Sequence, residues 1–215
     1  MQRDLSDYRK TYEKGDLSEN SVSSDPMDLF RSWFQEIEAA APEQENNAMS
    51  VSSIGLDGFP KTRVVLLKKF DSEGFIFYTN YNSEKGQALA NDNRLCASFF
   101  WPALERQVII KGRAVKIDDK VSDSYFSSRP KGSQLGAIAS NQSEVVSSRQ
   151  ELDLKLQELT LEFENKTIKR PKNWGGYQIS AMSIEFWQGR PNRMHDRLRY
   201  SLQKDKSWKL ERLAP

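Results

Sequence analysis

From Asp25 onward the apolar positions fall at helical spacing. Leu29, Phe30, Trp33, Phe34 and Ile37 recur every three or four residues, which puts them on one face. Asp25 suits the N-cap and Pro26 the first helical position, and the pattern fades at Ala41-Pro42. From Ala48 the period changes to two. Residues 49–54, 62–70 and 75–79 read as strands, joined by turns at Asp57-Gly58 and 71–74. A short helix opens at Ser83, and strands follow over 95–101 and 106–117. Strands so closely spaced pair antiparallel, and a barrel is their most economical closure.

Past Asp118 the pattern becomes helical. Leu152, Leu156, Leu159 and Phe163 share a face of a helix expected to begin near Ser143 and to end before Pro171; the stripe reads as core or dimer packing. Strands return over 176–186, 193–202 and 208–213. The first 24 residues are polar, with Ser21-Val22-Ser23-Ser24 as a lead-in, and are expected to be mobile until something binds. The architecture is therefore mainly β with peripheral helices (α+β): a flexible leader or lid over 1–24 and a single domain over 25–215.

Composition narrows the function classes. With 32 basic residues against 30 acidic ones, the net charge of +2 and the lack of long like-charged blocks argue against a nucleic-acid partner, so any anion chemistry is local. A hydrophobic share of 37% is modest for 215 residues while 11% aromatic is generous, which fits a subunit that finishes burying itself against a partner. Cys96 stands alone in an apolar run, so it forms no internal disulfide or cysteine zinc site and is expected to be a buried, inert thiol. No stretch reaches the ~20 apolar residues of a membrane span, and the polar start lacks a signal-peptide core. The expectation is a cytoplasmic protein with no membrane partner.

The candidate chemistry centres on residues 184–197, which hold the chain's single histidine. Gly189-Arg190-Pro191-Asn192 breaks a strand pattern, after which Arg193, His195 and Arg197 alternate at period two and leave one face of an extended segment. Two guanidiniums flanking an imidazole suit a planar anion, although the same residues also fit a solvated strand face. Arg63 and Lys68 are an odd number of residues apart, so from a flat strand they cannot serve one phosphate. Ser83-Glu84-Lys85-Gly86 is either a phosphate cradle or an ordinary helix start. Tyr125, Arg129 and Ser133 are spaced by four, but Pro130 favours a helix end followed by a loop.

Glu185-Phe186-Trp187-Gln188, followed by Arg193-Met194-His195-Asp196-Arg197, resembles the C-terminal signature of the pyridoxine (pyridoxamine) 5'-phosphate oxidase family of FMN enzymes. Further similar segments follow in the family's order: Arg63-Val64-Val65-Leu66-Leu67-Lys68, Phe77-Tyr78-Thr79-Asn80, Glu105-Arg106-Gln107-Val108, Tyr125-Phe126-Ser127-Ser128-Arg129-Pro130, Trp174-Gly175-Gly176 and Arg212-Leu213-Ala214-Pro215. The resemblance runs from about Arg9 to the C-terminus. It implies an FMN-binding split β-barrel of antiparallel Greek-key type, and a homodimer in which both subunits build each flavin site. The implied reaction oxidises pyridoxine 5'-phosphate or pyridoxamine 5'-phosphate to pyridoxal 5'-phosphate, the last step of pyridoxal phosphate synthesis and salvage. In it the C4' hydrogen passes to flavin N5, and O2 reoxidises the flavin to give H2O2; the amine also releases NH3.

The resemblance also assigns residues. Arg63, Val64, Val65, Leu66, Leu67, Lys68, Tyr78, Thr79, Ser83, Lys85, Gln107, Gln142, Ser143, Trp187 and Arg197 match FMN contacts. Position 84 departs from the commonest family pattern, an arginine on the FMN phosphate, and Glu84 cannot replace that charge. Lys68, Tyr125, Arg129 and Ser133 match the group that holds the substrate phosphate. Arg193 and His195 match the catalytic pair on the pyridine ring. An arginine keeps its proton, so Arg193 orients and stabilises, while His195 is a hydrogen-bond partner with proton transfer open to it. Arg9 and Tyr12 match the lid. No metal is implied. The rival readings are a flavin reductase on the same fold and a non-catalytic carrier of vitamer or flavin. The Tyr125/Arg129/Ser133 set counts against the first, and intact Arg193 and His195 against the second.

Overall fold

Eight strands are found among residues 3–215, which are the residues the computed structural model describes. They are β1 (Ala48–Ile54), β2 (Pro60–Asp71), β3 (Gly74–Asn80), β4 (Arg94–Trp101), β5 (Arg106–Lys116), β6 (Trp174–Gln188), β7 (Asp196–Leu202) and β8 (Trp208–Arg212). The sheet order is β3-β2-β1-β4-β5-β6-β7-β8, and a further β3–β6 pairing closes the first six strands into an antiparallel barrel. The run β3-β2-β1-β4 is a Greek key, because β4 returns to lie beside β1. The mainly β fold with peripheral helices is thus the one expected from the strand pattern.

By its contacts the chain forms two compact units. The first comprises residues up to Met49, Ala97–Lys111 and Ala181–Pro215. In it α1 (Pro26–Ala40) begins as its sequence dictates: the Asp25 carboxylate accepts the Met27 N–H, and Pro26 needs no donor at the first helical position. Its apolar face is an aromatic block, with Phe30 at 5.4 Å from Phe99 and Trp33 edge-on to Phe186 at 5.1 Å. The leader is docked along part of its length. Leu17 is buried, its N–H donates to Asp196 (3.2 Å), its carbonyl accepts from Arg212 (2.9 Å), and the Ser23 carbonyl accepts the Tyr200 hydroxyl (2.7 Å). Residues 3–11, by contrast, are almost wholly exposed.

The second unit comprises Ser50–Cys96 and Gly112–Ser180. The β2–β3 hairpin turns at Gly74, whose φ of 137° excludes other residues, and a register shift between Leu67 and Lys69 bends β2. This unit also holds α2 (Glu84–Asn91), α3 (Asp119–Ser128), α4 (Lys131–Ala139) and α5 (Arg149–Glu162), of which α4 and α5 pack on each other. Phe126, Leu135, Ile168 and Trp174 form a core shared by α3, α4 and α5, and Leu156, Leu159 and Phe163 of the expected apolar stripe pack on it. Arg170 fixes α3 to the start of β6 by donating to Asp119 (2.6 Å), Asp123 (2.6 Å) and the Trp174 carbonyl (2.5 Å).

Four local expectations are corrected. The fifth helix starts at Arg149, not Ser143, because Ser148 caps the Glu151 N–H while Glu151 reaches back to Ser147. The residues after Pro130 form α4, not a loop: Arg129 is extended, as a residue before proline must be, and Pro130 stands as the next N-cap. The strand expected from Arg193 starts at Asp196, because Pro191–Arg193 is a 3-10 turn with Asn192 and Arg193 at φ 56° and 61°. Cys96 is partly exposed, since β4 alternates and turns its even positions outward. No described helix is long and apolar enough to cross a membrane.

Candidate active site

A cavity of about 610 Å³ opens in the second unit. Arg63, Val64, Val65, Leu66 and Lys68 reach it from β2, so the strand that flat geometry would divide between two faces gives both its cations to one cavity. The bend at the 67–69 register shift accounts for this. Leu67 is the exception among these six residues and is buried, 4% exposed. Tyr78 and Thr79 end β3 at the cavity, Ser83 and Lys85 open α2 there, and Gln142 and Ser143 come from the segment after α4.

At this end the charges are unevenly partnered. Lys85 touches the Thr79 hydroxyl, which donates to Gln142 Oε1 (3.2 Å). Burial, and then the positive charge of Arg63, push the Lys85 ammonium down to about 8. An anion placed between the two cations would relieve both effects. Glu84, at the first turn of α2, draws the other way: it pairs with Lys61 and lies 3.4 Å from Arg63, while Lys61 also meets Asp57 at 3.1 Å. The Ser83 hydroxyl is committed to the helix start, donating to the Asn80 carbonyl (2.7 Å) and accepting from Gly86 N–H (3.2 Å).

The other end is a stack of flat groups. Tyr78 and Tyr125 lie 3.8 Å apart at 18°, and Tyr78 and Trp174 lie 5.5 Å apart at 11°. The Arg129 guanidinium sits 4.7 Å over the Trp174 ring, and its Nη1 is buried with no hydrogen-bond partner. Burial pulls its pKa below the usual arginine value, an effect Tyr125 partly offsets. A buried guanidinium nitrogen without an acceptor is costly and invites an anion. Ser133, in the first turn of α4, completes the expected trio. Trp174, Asn80, the α4 positions Gly136 and Ala137, and Ser140 at the end of α4 also line the cavity without having been assigned there. Trp174 begins one of the family-like segments, which was its available signal.

The remaining candidates belong to the first unit and do not line this cavity. Trp187 and His195 lie 4.6 Å apart, and Tyr12 is edge-on to each at 5.7 Å. The Arg190 N–H donates to His195 Nδ1 (3.1 Å), which leaves the neutral ring's proton on Nε2. Burial, with Arg193 nearby, lowers the His195 pKa. Arg193 is exposed, held apart from the β7 face by its left-handed backbone. Arg197 donates to Glu185 (2.8 Å) and to the Ala214 carbonyl (2.8 Å), and Gln107 donates to Ser98 (3.1 Å). Arg9 is exposed and its Nε donates to the Ser6 carbonyl (3.2 Å). Among the described residues no group of three or more His, Cys, Asp or Glu side chains could hold a metal ion.

The structure is thus an antiparallel barrel whose second unit carries a cavity lined by cations and flat rings. Comparison narrows the class. Residues 35–162 match a family profile described as pyridoxamine 5'-phosphate oxidase, and residues 174–215 one described as the pyridoxine 5'-phosphate oxidase C-terminal dimerisation region. A pyridoxine/pyridoxamine 5'-phosphate oxidase of Flavobacterium psychrophilum is 61% identical over 99% of this chain and 100% of its own. That of Christiangramia forsetii is 52% identical over the whole of both. Among solved structures, PhzG from Burkholderia lata, in complex with tetrahydrophenazine-1-carboxylic acid, is 27% identical with a TM-score of 0.84, over 91% of this chain and 95% of its own. An FMN-binding, pyridoxamine 5'-phosphate oxidase-related protein from Nostoc punctiforme shares the fold: 12% identity and a TM-score of 0.70, over 90% and 100% of the two chains. The chain belongs to the pyridoxine/pyridoxamine 5'-phosphate oxidase family and is an oxidoreductase.

Proposed function

We propose that this enzyme oxidises pyridoxine 5'-phosphate or pyridoxamine 5'-phosphate to pyridoxal 5'-phosphate, with FMN as cofactor and O2 as final acceptor, and acts as a homodimer. The observation that carries the reading is one cavity lined by two sets of cations, Lys85 with Arg63 and Arg129 with its Nη1 lacking a hydrogen-bond partner, together with the stacked rings of Tyr78, Tyr125 and Trp174. Two phosphorylated planar molecules need such a site. Lys85 and Arg63 fit a flavin phosphate, because an anion there would relieve the burial and repulsion that depress Lys85. FMN held there would supply the two-electron acceptor, with O2 taking the electrons on as H2O2; for the amine substrate, water would hydrolyse the oxidised C–N bond to the aldehyde and ammonia.

The chain's own residues bind and orient. Arg129, Tyr125, Ser133 and Lys68 hold the substrate phosphate, with Arg129 gaining the acceptor it lacks. His195 offers Nε2–H as a donor, because Nδ1 is taken by the Arg190 amide. Arg193 contributes a fixed positive charge to the pyridine ring. Trp187, Arg193, His195 and Arg197 all fall within the matched dimerisation region, which supports a site completed by dimer formation. Gln142, Ser143 and Gln107 are assigned to the polar edge of the flavin.

The deciding experiment is the absorption spectrum of purified protein followed by anaerobic addition of pyridoxamine 5'-phosphate. A flavin band that bleaches and recovers in air is the expected result. Bleaching only by a reduced nicotinamide would replace the reading with a reductase, and a flavin unchanged by either would leave a carrier.

A further inference from the structure

Outside the cavity the least ordinary group is a buried carboxylate. Glu105, in the turn between β4 and β5, is 2% exposed and adopts a left-handed φ of 56°. A carboxylate so placed is tolerated only if hydrogen bonds replace its water. Its Oε2 accepts the backbone N–H groups of Glu13 (2.8 Å) and Lys14 (3.0 Å), and Lys10 lies 3.6 Å from Oε1. Its own carbonyl accepts the Gly189 N–H at 2.8 Å. One residue therefore grips the chain at two places, immediately after Tyr12 and directly beneath the Tyr12 ring. Position 189 must be glycine here, because a Cβ would come within 2.8 Å of Tyr12 Cγ. Gln188 and Arg190 reinforce the clasp: Gln188 Nε2 donates to the Leu104 carbonyl (3.1 Å), and Arg190 Nη1 to the Gly15 carbonyl (2.9 Å).

We propose that Glu105 is a positioning residue, which holds the Tyr12 ring against Trp187 and His195 so that Tyr12 and His195 meet the substrate already in place. The inference rests on the proposed role of His195 at the substrate and on the lid role that the family resemblance implies for Tyr12. It assigns Glu105 no contact with substrate or cofactor. Its effect passes through the leader, whose residues 3–11 have few other ties.

The test uses the holoenzyme with pyridoxamine 5'-phosphate. Glu105→Asn keeps a residue that tolerates the left-handed backbone but shortens the side chain beyond reach of the two amides. It is expected to raise KM about tenfold, the worth of one charge-assisted hydrogen bond, and to leave FMN affinity within about twofold. Added to Tyr12→Ala, it should change KM less than about twofold, because the group it positions is gone. An undiminished effect on that background would make Glu105 a structural residue and overturn the proposal. Tyr12→Ala with unchanged KM and kcat would instead refute the placement of Tyr12, and the inference with it. Glu105→Gln keeps the reach without the charge; it should speed amide exchange at Glu13 and Lys14 and raise KM about threefold. Faster exchange there with KM unmoved would overturn the proposal even were the asparagine variant not to fold.

Discussion

Replacing Lys85 with methionine should stabilise the empty protein at neutral pH while weakening its hold on FMN. The ammonium is drawn into a partly buried position and faces Arg63, which together bring it down to about 8. At ~1.4 kcal/mol per pH unit, holding the charge there costs about 3 kcal/mol at neutral pH. Methionine has a similar length and no charge, and after local relaxation and the lost Thr79 contact a gain of about 1–2 kcal/mol should survive. The unfolded lysine keeps its proton to a higher pH than the folded one, so the unfolded state binds more protons from about 8 upward. Wild-type stability should therefore rise between pH 8 and 10, and the variant's should not. Urea unfolding of the apoprotein at pH 7 and pH 10 measures both, with the advantage of the variant shrinking at the higher pH. Titration with FMN should show a Kd raised by roughly 10- to 100-fold, and titration with riboflavin, which lacks the phosphate, should show little change. A variant less stable than wild type at pH 7, or one that loses FMN and riboflavin equally, would refute the assignment of Lys85 to the phosphate.

Glu84→Gln removes the anion that competes for Arg63 and Lys61, so FMN should bind severalfold tighter, and Glu84→Arg tighter still; indifference of the FMN Kd to both would place the phosphate elsewhere. Arg193→Ala should lower kcat/KM by roughly 10- to 100-fold with FMN affinity nearly intact, and near-normal kinetics would remove Arg193 from the mechanism. Deleting residues 1–11 should leave the melting temperature unchanged, because residues 3–11 are exposed. Deleting residues 1–20 should lower it by several degrees through the loss of buried Leu17 and the Glu19–Arg212 pair at 2.7 Å. Equal melting temperatures for the two truncations would mean that the docked part of the leader contributes nothing to stability.

Much of the barrel was legible because period-two patterns and glycine turns are local signals. The caps at Asp25 and Ser83 were legible for the same reason, being read from one or two neighbours. Length and turn geometry misled where a local competitor was overlooked. Ser148 caps the Glu151 N–H, and Glu151 accepts from Ser147, which starts α5 several residues late; Pro130, read as a stop, starts a second helix. In α3 and α4 that change matters to the site. Arg129 ends one helix, Ser133 lies in the first turn of the next, and both line the cavity with Tyr125.

The docked leader was illegible from composition, because several of its ties run through backbone groups. Glu13 and Lys14 bond through their amides, and Leu17 through its amide and carbonyl as well as by burial of its side chain. A polar segment can be held firmly by such bonds without showing an apolar period. The C-terminal run shows the converse. Its residues are grouped, but not by the strand alternation that first singled them out. Asn192 and Arg193 take left-handed conformations, which lift Arg193 off the β7 face and set His195 where the Arg190 amide meets Nδ1. Left-handed backbone at arginine is costly, and nothing in the helix or strand pattern requires it. The turn also fixes the tautomer: with Nδ1 accepting, His195 in its neutral form can only donate from Nε2, so the local strain and the hydrogen-bonding role assigned to His195 arise from the same few residues.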